Sequence, residues 1–511
     1  MQLMFLLNVE ARKLRLKIYK IPVMTNNLNN FENKTESIPM NKAGDPELVK
    51  KEIAELKALE KKGGWAKVKW YFSKSGPGWM QSAMTLGGGS AMASLFSGAF
   101  LGYQLLWVQP IAMLIGITML YALAHQTLHT GTRPFYAMKQ YVNPTIAWAW
   151  AICTIIATII WHFSQYSLIA GMSLDLIQAF GGFELNPGSL TQNIVLMAIA
   201  GVILFIACKV VWNYGKGGKG IKIFENIIKI IVWFIIFSFA AVVIVCSLSG
   251  DGIDWKAVGN GFLPFSFKGG FHLNIPDSTQ GISIFIASLS AAVGINMTFL
   301  FGYSFLAKGW TKEYKGLAKF DMFTGMLIPY TIATSLMIIA AGATLNTPEF
   351  VNSGATNISP IMASSMLEAA GLPPIVSRLI FGLGIIGMCF NAITMHMLVC
   401  GFAVCEMFHI EPTGWKYKLA TLCPSIGIFG AILWNKIGTW IAIPTSALAL
   451  ITLPVAYIGF FLLNNSEKYL KEDMPRGRKR ILWNMAMVLA IGITLVSVIY
   501  YLVTVVPTYF S

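Results

Sequence analysis

Gly76-Pro77-Gly78-Trp79-Met80-Gln81-Ser82-Ala83-Met84-Thr85-Leu86-Gly87-Gly88-Gly89-Ser90 decides the fold. The stretch is uncharged and runs on into further apolar residues, so it reads as the first half of a membrane-crossing helix. Three adjacent glycines then fall near mid-membrane. Each costs about 1 kcal/mol relative to alanine in a helix, and together they free carbonyls that hydrocarbon cannot satisfy. Close packing is the competing explanation, because small residues let helices approach. Gly98-Ala99-Phe100-Leu101-Gly102, with its glycines four apart, is assigned to packing. Adjacent glycines do not fit that spacing, so the triple is read as a break. Broken helices expose carbonyls and dipole ends, and transporters use them to build a central site.

The remainder of the chain is of the same kind. Its 511 residues are 55% hydrophobic and only 12% charged, against about 25% charged in soluble domains. Mean hydropathy is +0.62. The apolar residues form long runs, not alternations, which selects spanning helices over barrel strands. Runs of about 20 residues begin near Gly76, Trp107, Ile146, Asn193, Phe224, Gly281, Met322, Ile375, Leu419, Thr439 and Trp483, an expected total of eleven. Loops on one side hold the basic residues: Arg133 and Lys139; Lys209, Lys216, Lys219 and Lys222; Lys308 to Lys319; Lys416 and Lys418; and Lys468 to Arg480. Those opposite hold Lys256, Lys268 and Lys436, with Arg378 at a boundary. This asymmetry predicts an amino terminus inside and a carboxyl terminus outside. The net charge of +15 then belongs to the cytoplasmic face and implies no nucleic-acid partner. Seven cysteines show no CxxC spacing, so neither a disulfide framework nor a zinc site is indicated. No carboxylate pair, nucleophile with base, or phosphate loop with lysine suggests an enzyme, and no resident cofactor is expected.

A second weak point lies in the sixth span, where Gly294 and Asn296 interrupt Ala291-Ala292-Val293-Gly294-Ile295-Asn296-Met297-Thr298. A repeat of five helices would bring the first and sixth spans face to face from opposite sides of the membrane. Beside a broken backbone Met297 becomes a candidate thioether ligand, which favours softer ions. The expected organisation is 1–44, a polar region or misassigned start; 45–75, an amphipathic cytoplasmic helix opened by Asp45-Pro46; 76–250, the first five-helix repeat; 251–280, an outer loop; 281–465, the second repeat; 466–482, a basic inner loop; and 483–511, an eleventh helix with a short outer tail.

Gly76-Pro77-Gly78, the break, Leu95, Gly98-Ala99 and Gly102 to Val108 together resemble the first-helix signature of the Nramp family of divalent-metal transporters. The resemblance covers about Trp70 to Ser511. It implies an all-α integral membrane protein with eleven transmembrane helices, a LeuT-like five-plus-five inverted repeat plus one helix, and breaks in helices 1 and 6. The family's Asp-Pro-Gly-Asn tetrapeptide falls on Gly87-Gly88-Gly89-Ser90, and its Met-Pro-His on Met297-Thr298-Phe299. Its third-helix acids fall near Ile159 and His162, its seventh-helix acid on Asp321, and its tenth-helix glutamine on Thr452. Lost acids with a retained methionine make the chain most similar to the Nramp-related magnesium transporters, which move Mg2+ and Mn2+ without proton coupling.

Mg2+ sheds water reluctantly, so a site for it can be wide and lined by neutral oxygens. The expected metal-contacting residues are Gly87, Ser90, Gly294, Asn296, Met297 and Thr452, with weak affinity because no carboxylate is present. His162 has two readings, a protonatable pathway group or a hydrogen-bonded core residue, and His396 is treated alike. Asp321 is either a cation attractor at the exit or a helix-start acid. Glu225, Lys229 and Glu406 read as snorkelling residues. Asp175 and Glu368, with other outer acids, suggest an acidic vestibule. The expected protein is a monomer of the plasma (inner) membrane whose partners are a divalent ion and lipid. An amino-acid or organic-solute carrier of the same architecture and a non-transporting receptor are the alternatives.

Overall fold

The computed structural model describes residues 46–59, 64–214, 218–249, 252–266, 271–353, 358–505 and 507, with backbone only over 434–450. The expected polar region 1–44, the Asp45 cap, Lys216, Asp251 and Lys268 lie outside the described residues, as do the Lys436 and Thr439 side chains.

Two short helices precede the membrane region, α1 (Pro46–Leu59) and α2 (Gly64–Lys74). One helix was expected over 45–75. Lys74 pairs with Glu52 at 2.6 Å and the Trp70 indole donates to Glu55 at 3.1 Å, contacts that join α1 to α2. The first span is α3 (Pro77–Thr85) and α4 (Gly88–Leu101), interrupted at Leu86-Gly87. Then come α5 (Val108–Thr130), α6 (Pro134–Tyr141), α7 (Pro144–Gly181), α8 (Leu190–Tyr214) and α9 (Gly218–Leu248). The loop beyond α9 carries α10 (Trp255–Gly261) and an antiparallel pair, β1 (Phe265–Ser266) with β2 (His272–Leu273). The sixth span is again in two pieces, α11 (Thr279–Ser290) and α12 (Ile295–Ala307). Beyond it lie α13 (Lys315–Met322), α14 (Ile328–Thr344), α15 (Pro348–Val351), α16 (Pro360–Ala369), α17 (Phe381–Phe408), α18 (Gly414–Thr421), α19 (Gly430–Asn464), α20 (Glu467–Leu470) and α21 (Gly477–Tyr500).

Among the described residues eight helices are long and apolar enough to cross a membrane, counting α11 and α12 as one, and the divided α3–α4 lies outside that count. Where spans are expected from Leu419 and Thr439 lie α18, a tight turn of helix over Cys423–Phe429 and the 35-residue α19, which also lies outside that count because only Ile451–Asn464 of it enters. Pro424 lacks an amide hydrogen and disfavours helix at the residue before it, which separates α18 from the tight turn. Gly427 and Gly430 then let the segment lie directly on α7. A Cβ at Gly427 would come within 2.8 Å of the His162 backbone, and one at Gly430 would enter the Phe163 carbonyl.

The polar groups near span ends depart from the sequence reading. Glu225 and Glu406 do not snorkel. Both are buried, Glu225 against Lys308 at 2.8 Å and Glu406 against Arg133 at 2.9 Å, while Lys229 donates to the Ser75 carbonyl. A charge kept from water needs such a partner. At the opposite end Arg378 binds Asp175 at 3.0 Å and also Glu368. One arginine thus serves two carboxylates, so the triad keeps a net negative charge when both are ionised.

Overpacking a tight site costs about 1–3 kcal/mol, whereas alanine for glycine in an open helical position gains up to about 1 kcal/mol. Gly430→Ala is expected to lower the thermal midpoint of detergent-purified protein. Gly201→Ala, where a Cβ meets nothing within 4 Å, should leave it unchanged or raise it. Equal midpoints for the two variants would contradict this packing of α19 on α7.

Candidate functional site

α3 has no side-chain cap of its own, and Pro77 sits in its first turn. It stops at Leu86, whose amide still bonds the Ser82 carbonyl at 2.8 Å, and α4 restarts from an extended Gly87. One side chain closes the gap. The Ser90 hydroxyl lies 2.6 Å from the Thr85 carbonyl, 2.9 Å from the Gly87 carbonyl and 3.1 Å from the Gly87 amide. From α3 the Thr85 hydroxyl reaches the carbonyls of Ala291 and Ala292 at 2.8 and 2.9 Å, where α11 ends. The two breaks are thus bonded to each other across the protein. At the second break the Met297 sulfur accepts the Gly294 amide at 3.4 Å, and the Asn296 side-chain oxygen accepts the Met297 amide at 2.8 Å.

Of the six expected metal-contacting residues, five therefore lie at the paired breaks: Gly87, Ser90, Gly294, Asn296 and Met297. The polar atoms of Ser90, Asn296 and Met297 are engaged in holding the breaks. Thr452 is buried on α19, which packs along α7 and α12. The three glycines are not equivalent. A Cβ at Gly87 would press on Ala392 at 3.0 Å and one at Gly88 would run into Leu168, whereas Gly89 is exposed with nothing within 4 Å. The open space at the triple glycine therefore lies at Gly89, because α17 and α7 fill the space beside Gly87 and Gly88.

The residue of α7 that meets the break is Gln165, which receives the Gly88 amide at 2.8 Å. Sequence reasoning pointed to Ile159 and His162 instead. The available signal was an amide side chain within an uncharged run, and helical phase relative to the break selects it. His162 packs deeper, its Nδ1 3.4 Å from that of His396 on α17. Both rings are buried, and the His162 Nε2 has no hydrogen-bond partner among the described residues. Gln81 on α3 and Asn391 on α17 are also fully buried, with amides unpartnered there. Buried amides of this kind ordinarily hold water.

The end of the molecule bearing the basic loops is shut. Every residue of α3 and of α12 is buried. Asp321, also fully buried, takes the amides of Gly76 and Gly78 at 3.1 and 2.7 Å. Its carboxylate thereby supplies the missing N-terminal cap of α3 from the seventh span. This is the helix-cap reading of Asp321, made between helices and not within one.

Residues 78–504 match the family model described as natural resistance-associated macrophage protein-like. The divalent metal cation transporter MntH of Yersinia pestis is 21% identical over 426 residues, 82% of this chain and 93% of that protein. A crystal structure of the Eremococcus coleocola manganese transporter, with an aromatic bis-isothiourea compound, superposes with a TM-score of 0.64 at 13% identity, covering 85% of this chain and 87% of the other. MhsT in complex with L-phenylalanine superposes at 0.54 with 14% identity, covering 82% and 98%. These likenesses establish a LeuT-like, helical integral membrane fold.

An asparagine at 321 has one acceptor oxygen for two amides, and leaving a buried amide unsatisfied costs about 1–3 kcal/mol. Asp321→Asn is expected to loosen α3. In a Ser82→Cys background, an impermeant maleimide applied from the basic-loop side should react faster when Asp321→Asn is also present. An unchanged labelling rate would exclude Asp321 as the clasp.

Proposed function

This chain belongs to the Nramp family, and from that premise we propose that it is a secondary transporter of divalent metal ions, carrying Mg2+ and with it Mn2+ by alternating access without proton coupling. The observation that carries the reading is the electrostatics of the paired breaks. Helix starts are positive and favour anions, helix ends are negative and favour cations. Here two of the four first amides of α4, those of Gly87 and Gly88, are taken by Ser90 and Gln165, and two of those of α12, Gly294 and Met297, are taken by the Met297 and Asn296 side chains. A substrate carboxylate would have to displace these bonds, which counts against the amino-acid carrier despite the fold shared with MhsT.

The space beside Gly89 suits an ion that keeps water. A hydrated Mg2+ needs outer-sphere oxygens more than direct ligands. The carbonyls of Gly87 and Gly294, the Ser90 hydroxyl, Asn296 and Thr452 are assigned that outer role, and Met297 is assigned a direct one toward Mn2+ once its sulfur turns from the Gly294 amide. No Asp, Glu, His, Lys or Arg occurs in 76–105 or 281–306, so those segments hold no ionisable proton relay. A dication gains about 4.6 kcal/mol per 100 mV of membrane potential, twice the unit-charge value, which is sufficient to drive uptake. The basic loops support a cytoplasmic amino terminus and an outer carboxyl terminus, and the plasma (inner) membrane is assigned as the site of action. The buried α3 and α12 then correspond to a state closed to the cytoplasm.

Vesicles containing the purified protein should take up Mg2+ and Mn2+ without acidifying, as monitored by a trapped pH dye. Leucine flux without metal flux would transfer the protein to the rival class, and acidification tracking the metal would refute uniport. Gly89→Asp, which places a carboxylate in the open space, should lower the half-saturating Mn2+ concentration and slow turnover. Met297→Ala should reduce Mn2+ uptake more than Mg2+ uptake, and equal loss of both would show that sulfur does not discriminate.

A further inference from the structure

Two helices start at the paired breaks, and each presents about half a positive charge on its first amides. An uncovered start beside a cavity is an anion site, and for a cation carrier it is the wrong sign. At α12 the Gly294 and Met297 amides are taken from its own first turn by the Met297 and Asn296 side chains. At α4 the Gly87 and Gly88 amides are taken separately. Ser90 serves Gly87, but the Gly88 amide is served from another helix, by the Gln165 side-chain oxygen at 2.8 Å.

The fit is close. Gln165 is only 4% exposed, and its amide group lies against the glycine backbone. A Cβ at Gly87 would stand 3.2 Å from its oxygen and 3.5 Å from its nitrogen, and one at Gly88 would stand 3.3 and 3.5 Å away. The absence of two side chains is what lets the glutamine amide reach the helix start. Its orientation is fixed by chemistry: the oxygen must face the Gly88 donor, and the nitrogen then lies toward the Ser164 hydroxyl at 3.5 Å. An amide oxygen has a second lone pair, so this one atom can quench the helix start and also turn a partial negative charge toward a hydrated cation.

We propose that Gln165 is a specificity-determining residue of the transport site, a neutral cap that makes the α4 start compatible with a dication, closes it to carboxylates, and keeps ion binding weak enough for release. The inference rests on the metal-transport reading above. Glutamine and glutamate have nearly the same shape, and either can accept the Gly88 bond, but glutamate adds a full charge at the break. A purely structural bracket would at most lose stability from the buried charge and leave the half-saturating Mn2+ concentration unchanged, whereas a specificity residue would shift that concentration.

The test is Mn2+ uptake into vesicles by wild type, Gln165→Glu and Gln165→Leu, with half-saturating concentration and maximal rate measured separately. Gln165→Glu is expected to lower the half-saturating Mn2+ concentration at least ten-fold and to reduce the maximal rate, because a tightly held ion leaves slowly. Gln165→Leu, which uncovers the Gly88 amide, is expected to lose at least ten-fold in Mn2+ uptake and to become sensitive to competition by acetate. Both parameters of Gln165→Glu within two-fold of wild type would overturn the proposal whatever the leucine variant does, since that variant retains the structural bond. Wild-type protein that carries no divalent metal would overturn the parent reading together with this one, so the two failures are distinguishable.

Discussion

A backbone amide or carbonyl in hydrocarbon has no water to turn to, and the centre of this protein is organised by that constraint. Interrupting a helix at mid-membrane frees groups that must be satisfied by other protein atoms or by water in a cavity. Here the work falls to a few short polar side chains. Ser90 bridges the ends of α3 and α4, Thr85 ties the first break to the carbonyls at the end of α11, and Asn296 and Met297 hold the start of α12. Ser90, Asn296 and Met297 act within their own breaks, and Thr85 joins the two. A single interrupted span would lack the Thr85 partners.

The same constraint governs the closed end. Asp321, Lys229 and the Glu225–Lys308 pair hold the beginning of α3 or lie beside it, and all four side chains come from other parts of the chain. Burying ions repays little in stability because desolvation offsets attraction, and such contacts are better suited to specifying an arrangement. Polar contacts can also be exchanged for water when a helix swings away. A clasp of hydrogen bonds and ion pairs thus suits an end that must open and close, whereas an apolar seal of equal strength would expose hydrocarbon surface on opening.

Much of this architecture is legible in the amino-acid sequence. Charge content and long apolar runs define a helical membrane protein, and Gly87-Gly88-Gly89 and Gly294 mark both interruptions. Role is where the sequence misleads. Glu225 and Glu406 look like snorkelling residues, since each lies near a span end where water is close, yet both are buried against basic residues of distant loops. Gln165 escapes notice because a neutral amide in a helix carries no signature until the face it occupies is known. Beyond Leu419 hydropathy does not register that Pro424, Gly427 and Gly430 lay the chain tightly along α7.

The sequence by itself determined properties that are local or additive: membrane residence, helical spans, the positions where a helix cannot continue, and the absence of Asp, Glu, His, Lys and Arg along both broken spans. These arise from composition, glycine and proline sterics, and the energy of bare backbone in lipid. Only the tertiary structure decided which of three identical glycines faces open space, which side chain covers which helix start, and which acid holds α3. Those outcomes depend on atoms brought within about 3 Å from residues as far apart as Gly78 and Asp321, and hydrogen bonds of that length carry no trace along the chain.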